Sequence, residues 1–300
     1  MVENNKFLNL TTYLCLGVGI FILCFPIFYA LLAASLPIDE VSKIPMPIHF
    51  GSELFINLSK AWSKGDFTHL FFNSLVMALG ISLGKISISI LSAFAITYFD
   101  FRFRQLAFWI IFLTLMLPVE VRIVPTYEVA SNILLPLNLV MNFFTSILSL
   151  NYNINFQFSL LDSYTGLILP LIASATATFL FRQFFLTIPE ELCEAAKVDG
   201  AGPLKFFVHI LLPLSKTNIA SLFVITFVYG WNQYLWPLLV TTKPAMKTAI
   251  IGLKQIIPLV DDIPEWNVTM AGALLLMIPP VIVVVILQKY FVKGLIETEK

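Results

Sequence analysis

Apolar residues gather in six runs along the chain, at about 10–36, 70–99, 106–133, 161–185, 219–240 and 269–290, with polar stretches between them. At 1.5 Å per helical residue, runs of roughly 20 apolar residues cross a hydrocarbon core of about 30 Å. The pattern therefore predicts an all-α integral membrane protein, with six transmembrane helices in a single transmembrane domain over 1–300. The first run is longer than the ~7–15 apolar residues of a secretory signal peptide. It reads as an uncleaved helix, although Ala30, Ala33 and Ala34 offer small residues for cleavage. Pro37, Pro45 and Pro47 turn the stretch before His69 into an external loop. The third run carries Pro118, Glu120, Arg122, Pro125 and Glu128, which a lipid-facing helix would not keep. Residues 134–160 hold five asparagines and no uninterrupted span, so they read as an extra external insertion, a short helix followed by extended chain.

Composition narrows the classes further. Hydrophobic residues make up 58% and charged residues 12%, with a mean hydropathy of +0.88, which excludes a soluble globular domain and a disordered chain. Lys plus Arg balances Asp plus Glu at 18 each, leaving no electrostatic case for nucleic acid. Cys15, Cys24 and Cys193 read as free thiols. His49, His69 and His209 stand singly, so no metal site is expected. With both termini in the cytoplasm, ten basic residues fall inside against seven outside, Lys85 lying within a span. The inner loops are also the shorter ones, which sharpens the positive-inside bias.

The most polar interior stretch, the loop at 186–216, contains PEELCEAAKVDGAGPLKFFVHILLP over 189–213. Pro189 suits a first helical turn, and Glu190, Glu191 and Glu194 lie where the helix dipole favours negative charge. Asp199, Gly200, Gly202 and Pro203 then end that helix, Gly200 suiting a left-handed cap, and the chain restarts at Leu204. Two short helices joined at a glycine form an L. The positions Glu194, Ala195, Ala196, Gly200, Ile210, Leu212 and Pro213 match the signature loop of the permease subunits of bacterial ABC importers, which this chain resembles. In that family the element is a coupling helix seated on the ATPase subunit, so the resemblance implies a coupling role for Glu190, Glu194, Ala195, Ala196, Asp199, Gly200, Ile210, Leu212 and Pro213. It also implies a type I importer fold in the bacterial inner membrane, a second nonidentical permease, two ATPase subunits and an external solute-binding protein. ATP and magnesium then belong to the ATPase, and this chain has no catalytic residue and no cofactor of its own.

A rival motif fails. Gly80, Gly84 and Lys85 in GISLGKIS superficially resemble a phosphate-binding loop, but the glycine spacing is one short, Ile86 stands where Ser or Thr is needed, and the segment is an apolar span. The two glycines read better as a small-residue packing face between helices.

LTLMLPVEVRIVPTYEV (113–129), LDSYTGLILPLIASATATFLFRQFF (161–185), LPLSKTNIASLFVITFVYGWNQYLWPLL (212–239) and the tail FVKGLIETEK look like the sn-glycerol-3-phosphate branch of these permeases, paralogous to the shorter permease of maltose importers. The insertion at 134–160 departs from that pattern. Polar groups inside spans are functional candidates because burying them is costly. Lys85 lies roughly 22 Å into its run, and Lys85 or Arg122 would lend positive potential to a passing phosphate. The alternatives are a structural pair of Arg122 with Glu120 or Glu128, and for Lys85 snorkelling or an interhelical hydrogen bond. Trp231, Asn232, Gln233 and Tyr234, with Trp236, suit polyol hydroxyls, or else an interfacial aromatic belt. Glycerophosphodiesters, maltose and other sugars remain alternative cargoes. An ion-coupled secondary transporter would need inverted repeats and midplane carboxylates, and the sequence offers no clear repeat and no such carboxylate beyond those around Glu120; an intramembrane enzyme would need a nucleophile and base or metal ligands at depth, and none assembles.

Overall fold

The computed structural model describes residues 6–148, 152, 154–257 and 264–297, and among these every regular element is helical. By internal contacts the chain divides into two units, Met1–Thr68 with Gly252–Pro279, and His69–Ile251 with Pro280–Lys300.

In the first unit, α1 (Lys6–Ser35) leaves its apolar side chains exposed over most of its length and becomes buried only around Leu32–Leu36. A four-residue α2 (Ile38–Val41) and a loop lead to α3 (Leu54–Lys64). The wholly buried Asn57 donates to the carbonyls of Ala34 (3.0 Å) and Leu36 (3.1 Å), and Asn267 donates to Leu36 and to Asn57 Oδ1, each at 3.3 Å. These amides satisfy carbonyls that the end of α1 leaves open. Lys64 and Glu265 form an ion pair beside them.

The second unit is built on α4 (Phe67–Tyr98), a single unbroken helix over the second apolar run. The third run is not one rod. α5 (Arg104–Leu113) tightens into a 3₁₀ turn at Thr114–Met116, and Leu117 is extended (ψ 116°), as a residue before proline prefers. Pro118 then opens α6 (Val119–Ser131), which bends by 78° into α7 (Leu135–Ile147). The fourth run is likewise broken: α8 (Tyr164–Ile168) and a 3₁₀ turn around Pro170 meet α9 (Ala175–Leu186) at 50°.

Beyond α10 (Glu190–Val198), the stretch Pro203–Leu214 comprises α11 (Pro203–Phe206), a wide π turn at Phe207–Leu211 and α12 (Leu212–Leu214), and it meets α13 (Lys216–Trp231) at 71°. The fifth run also breaks, since α13 ends at Trp231 and α14 (Leu235–Val240) starts only after Asn232–Tyr234. Then follow α15 (Ala249–Ile256) and α16 (Trp266–Glu297). Among the described residues, three helices are long and apolar enough to cross a membrane alone, and up to six if each bent pair counts as one span.

The asparagines of 132–142 have a backbone purpose. Asn138 and Asn142, one turn apart on α7, each bind both the N–H and the C=O of one residue in the chain that returns beside them, Phe156 (3.0 and 2.7 Å) and Ile154 (2.8 and 3.1 Å). Four helical residues rise about 6.0 Å and two extended residues about 6.6 Å, so the registers coincide. Asn132 continues the series to Phe156 O and Phe158 N.

Helix packing around α4 relies on absent side chains. A Cβ at Gly80 would fall 2.6 Å from Ile168 Cδ1, and one at Gly84 2.5 Å from Ile172 Cγ2. Both glycines thus admit a branched side chain of the fourth run.

Asp162 (φ +52°) closes a clasp between α8 and the end of α14. Its N–H donates to Val240 O, while its carboxylate accepts from Thr242 N (2.6 Å), Thr242 Oγ1 (2.6 Å) and Lys243 N (2.8 Å). The N–H of Lys243, with the Thr242 hydroxyl, holds this carboxyl below the usual aspartate range. A depressed folded pKa stabilises above the ordinary aspartate value, about 3.9, and the contribution is lost as pH falls through the folded value. The melting temperature of the detergent-solubilised protein should exceed that of Asp162→Asn by a constant margin from pH 5 to 8, and the margin should close below about pH 4.

Candidate functional site

Two places in the second unit gather the residues with chemical character, the L after α9 and a cavity higher on α4. In the L, α10 carries Glu190 and Glu191 in its first turn and Lys197 in its last, matching the helix dipole at both ends. It stops at Gly200 (φ +71°) in a Schellman motif, with Gly200 N–H donating to Lys197 O (3.0 Å) and Ala201 N–H to Ala196 O (2.8 Å). Pro213 has no N–H for the carbonyl of His209, and the wide turn over Phe207–Leu211 immediately precedes it.

The L has an inner and an outer face. Ala196, Phe206, Phe207 and Leu211 are buried in one cluster with Phe94 of α4 and Phe181 and Phe185 of α9, and Ile210 and Leu212 pack against it. Phe94 lies 4.9 Å from Phe207, and Tyr98 lies 5.3 Å from Phe206 and 5.9 Å from Phe185, centroid to centroid. Glu190, Glu194, Ala195, Asp199, Gly200 and Pro213 are exposed. So are Leu192, Val198 and Leu204, with Val198 at 88% exposure, so the outer face is partly apolar.

The cavity, of about 600 Å³, is lined by Lys85, Arg122, Tyr229 and Gln233 together with hydroxyls from α4, α6 and the start of α9. Lys85 is 8% exposed, and its ammonium lies 3.7 Å from the centroid of the Tyr229 ring. Burying a cation costs several kcal/mol, and a desolvated cation–π contact returns about 2. No described carboxylate lies within ion-pair distance of Lys85 or Arg122, Glu128 included. The side chain of Glu120 lies outside what is described.

The cavity also collects one break from each of the third, fourth and fifth apolar runs. Thr114 and Leu117 come from the first, Pro170, Ala173 and Ser174 from the second, and Gln233 and Leu235 from the third. Ser174 caps α9 through its Oγ, which accepts from Ala177 N (3.3 Å), and its carbonyl accepts from Ser89 Oγ (3.3 Å).

The aromatic and amide cluster of the fifth run does not act as one group. Gln233 lines the cavity and donates to Tyr229 O (3.3 Å), and Trp236 lines it while donating to Gly166 O (3.2 Å). Trp231 instead packs away from it, stacked on Phe227 and edge-on to Phe71. Asn232 is exposed at the end of α13, and Tyr234 is half-buried outside the lining. The helix break after Trp231 scatters them. Sequence reasoning missed Tyr229 and the hydroxyls. One signal was available: Ser82, Lys85, Ser89 and Ser92 recur at three- and four-residue spacing and form one polar stripe on α4.

Helices broken at depth around a polar cavity, joined to an L that ends in a glycine cap, are the architecture of a membrane permease. The chain belongs to the family described as binding-protein-dependent transport system inner membrane component, whose model matches residues 85–297. It is 49% identical over 306 residues to the sn-glycerol-3-phosphate transport system permease protein UgpE of Yersinia pestis bv. Antiqua (strain Antiqua), covering all of both chains. It is 51% identical over 307 residues to the protein of that name in Rhizobium meliloti (strain 1021), again covering both in full. A chain in the crystal structure of a bacterial ABC transporter involved in the import of the acidic polysaccharide alginate shares the fold. The TM-score is 0.72 at 19% identity, over 97% of this chain and 99% of that one. The protein is therefore an all-helical permease component of an ABC transport system of the inner membrane.

The glycine cap gives a direct test. No atom lies within 4 Å of a Cβ built on Gly200, so only backbone strain opposes substitution. A β-branched residue in the left-handed region costs about 1–2 kcal/mol, whereas asparagine tolerates it. Gly200→Val should raise protease cleavage between α10 and α11 in membranes, and Gly200→Asn should leave the digestion pattern as in the wild type.

Proposed function

We propose that this chain is one of two nonidentical permeases in an ATP-driven importer of sn-glycerol-3-phosphate, with glycerophosphodiesters as related cargo. The observation that carries the reading is the full-length identity of about half with permeases named for that transport. Two cations in the cavity, with no carboxylate within ion-pair distance among the described residues, favour an anionic cargo over maltose or another neutral sugar.

In this reading the chain makes six spans with both termini in the cytoplasm, and the asparagine-pinned segment at 134–160 faces outward. Two copies of a separate ATPase hold ATP and magnesium, a solute-binding protein delivers cargo from outside, lipid surrounds the spans, and this chain binds no cofactor. The L is the coupling element. Its acidic and apolar outer face, with Glu190, Glu194, Ala195, Asp199 and Gly200, meets the ATPase, while Ala196, Ile210 and Leu212 root it in the aromatic cluster and Pro213 sets its far bend. When ATP draws the ATPase subunits together, the L moves with them, and the ends of α4 and α9 follow. Lys85, Arg122 and Gln233 line the passage, whereas Trp231 has a packing role and Asn232 and Tyr234 lie at the margin of the pathway.

Reconstitution of the complete transporter in liposomes tests this reading. With loaded binding protein, sn-glycerol-3-phosphate should stimulate ATP hydrolysis and maltose should not. Glu194→Lys should abolish the stimulation while the chain remains inserted in the membrane. Stimulation by maltose alone would overturn the cargo, and a normal response in Glu194→Lys would overturn the coupling role.

A further inference from the structure

Resting on that reading, we propose that the cavity is itself a binding station for a small organic phosphomonoester dianion, with Lys85 and Arg122 as its paired cations and the start of α9 as its backbone donors. Cargo would then bind this chain during passage and not merely slide by it.

Charge is the first support. The titratable groups of the lining are Lys85, Arg122 and Tyr229, so two positive charges face one space in which a neutral phenol is the nearest partner of Lys85. Arginines and lysines that line cavities at membrane depth ordinarily pair with a carboxylate or mark an ion path. No such carboxylate lies within ion-pair distance among the described residues. A phosphomonoester carries close to two negative charges at neutral pH, since its second pKa is about 6, and it balances both cations at once. A phosphodiester balances one of them, and a sugar neither.

Backbone geometry is the second, independent support. Non-helical chain at membrane depth is tolerated where it lines a cavity, and broken helices there present free peptide groups to cargo. Ser174, Ala175 and Thr176 line the cavity at the head of the 12-residue α9, and the N–H groups of Ala175 and Thr176 have no acceptor within that helix. Such a helix start favours phosphate oxygens. Ser89 fastens this end of α9 to α4 four residues from Lys85, so the helix start and the ammonium belong to one packed assembly.

The remaining lining suits the rest of such a cargo. Ser92, Thr126 and Gln233 offer groups for polyol hydroxyls, and Ile88, Ile110 and Leu171 supply apolar walls. A volume of about 600 Å³ lies within the ordinary range of small-molecule sites, roughly 300–1,000 Å³.

The test uses the complete transporter in liposomes and compares ATP-dependent uptake of sn-glycerol-3-phosphate with that of a glycerophosphodiester, per assembled complex. Lys85→Gln and Arg122→Gln should each lower kcat/KM for the monoester at least tenfold and for the diester by a smaller factor, so that the ratio falls. Lys85→Arg and Arg122→Lys should recover part of it. Arg122 is exposed to the cavity, so its variant reports even where Lys85→Gln fails to assemble. An unchanged ratio in Arg122→Gln, through equal losses or none, would overturn the station while leaving the importer intact. Wild-type uptake of a neutral sugar and of neither phosphate ester would overturn the cargo reading and the station together.

Discussion

Hydrocarbon gives a peptide group nothing to bind, so a chain inside it must satisfy each N–H and C=O internally, and breaks in its helices must be covered. This requirement organises the second unit. The unbroken α4 needs no cover beyond its neighbours, whereas the third, fourth and fifth apolar runs are each interrupted. One interruption from each of these runs faces a common cavity. The cavity exists because the breaks need it, and the polar stripe of α4 completes its wall.

The same economy governs the packing. Gly80 and Gly84 let isoleucines of the fourth run lie directly on the backbone of α4. That contact brings the head of α9 within hydrogen-bond reach of Ser89, one turn beyond Lys85. A cation that would be intolerable against lipid is thereby set among hydroxyls, an aromatic face and helix ends. Its location follows from where the chain can afford to be irregular.

Much of this was legible in the residues, and unevenly so. The apolar runs mark the helical stretches because membrane burial demands a composition that soluble segments do not have. Asp199, Gly200, Gly202 and Pro203 announce the corner of the L because few residues adopt a positive φ or start a helix without an N–H. The break after Trp231 left little trace, since Asn232, Gln233 and Tyr234 are compatible with a helix and only packing against other elements decides otherwise. Pro118 and Pro170 were visible as polar or rigid interruptions, yet proline also lies within α1 and α6 without ending them, at Pro26 and Pro125. Tyr229 was hidden for a different reason. An aromatic residue in an apolar run has no signature until the structure shows a cation above its ring. The asparagines of 132–142 looked like surface composition and proved to be a backbone substitute, because their meaning depends on an extended, non-helical segment some twenty residues away.

The continuity of α4 joins the two sites mechanically. Lys85 and Tyr98 stand on the same uninterrupted helix, about 20 Å apart along its axis, and Tyr98 is wedged between Phe185 and Phe206 at the root of the L. If the L couples as proposed, a displacement imposed on it would be handed to Lys85 as if through a pushrod, with no joint in α4 between to absorb it. Arg122 stands beyond the extended Leu117, on a segment with a joint of its own, and need not travel with it. The separation of the two charges thus becomes a gauge of the stroke. In the proposed importer, a grip on an anion that needs both of them would tighten or slacken with each cycle, and no side chain of the cavity would have to sense ATP.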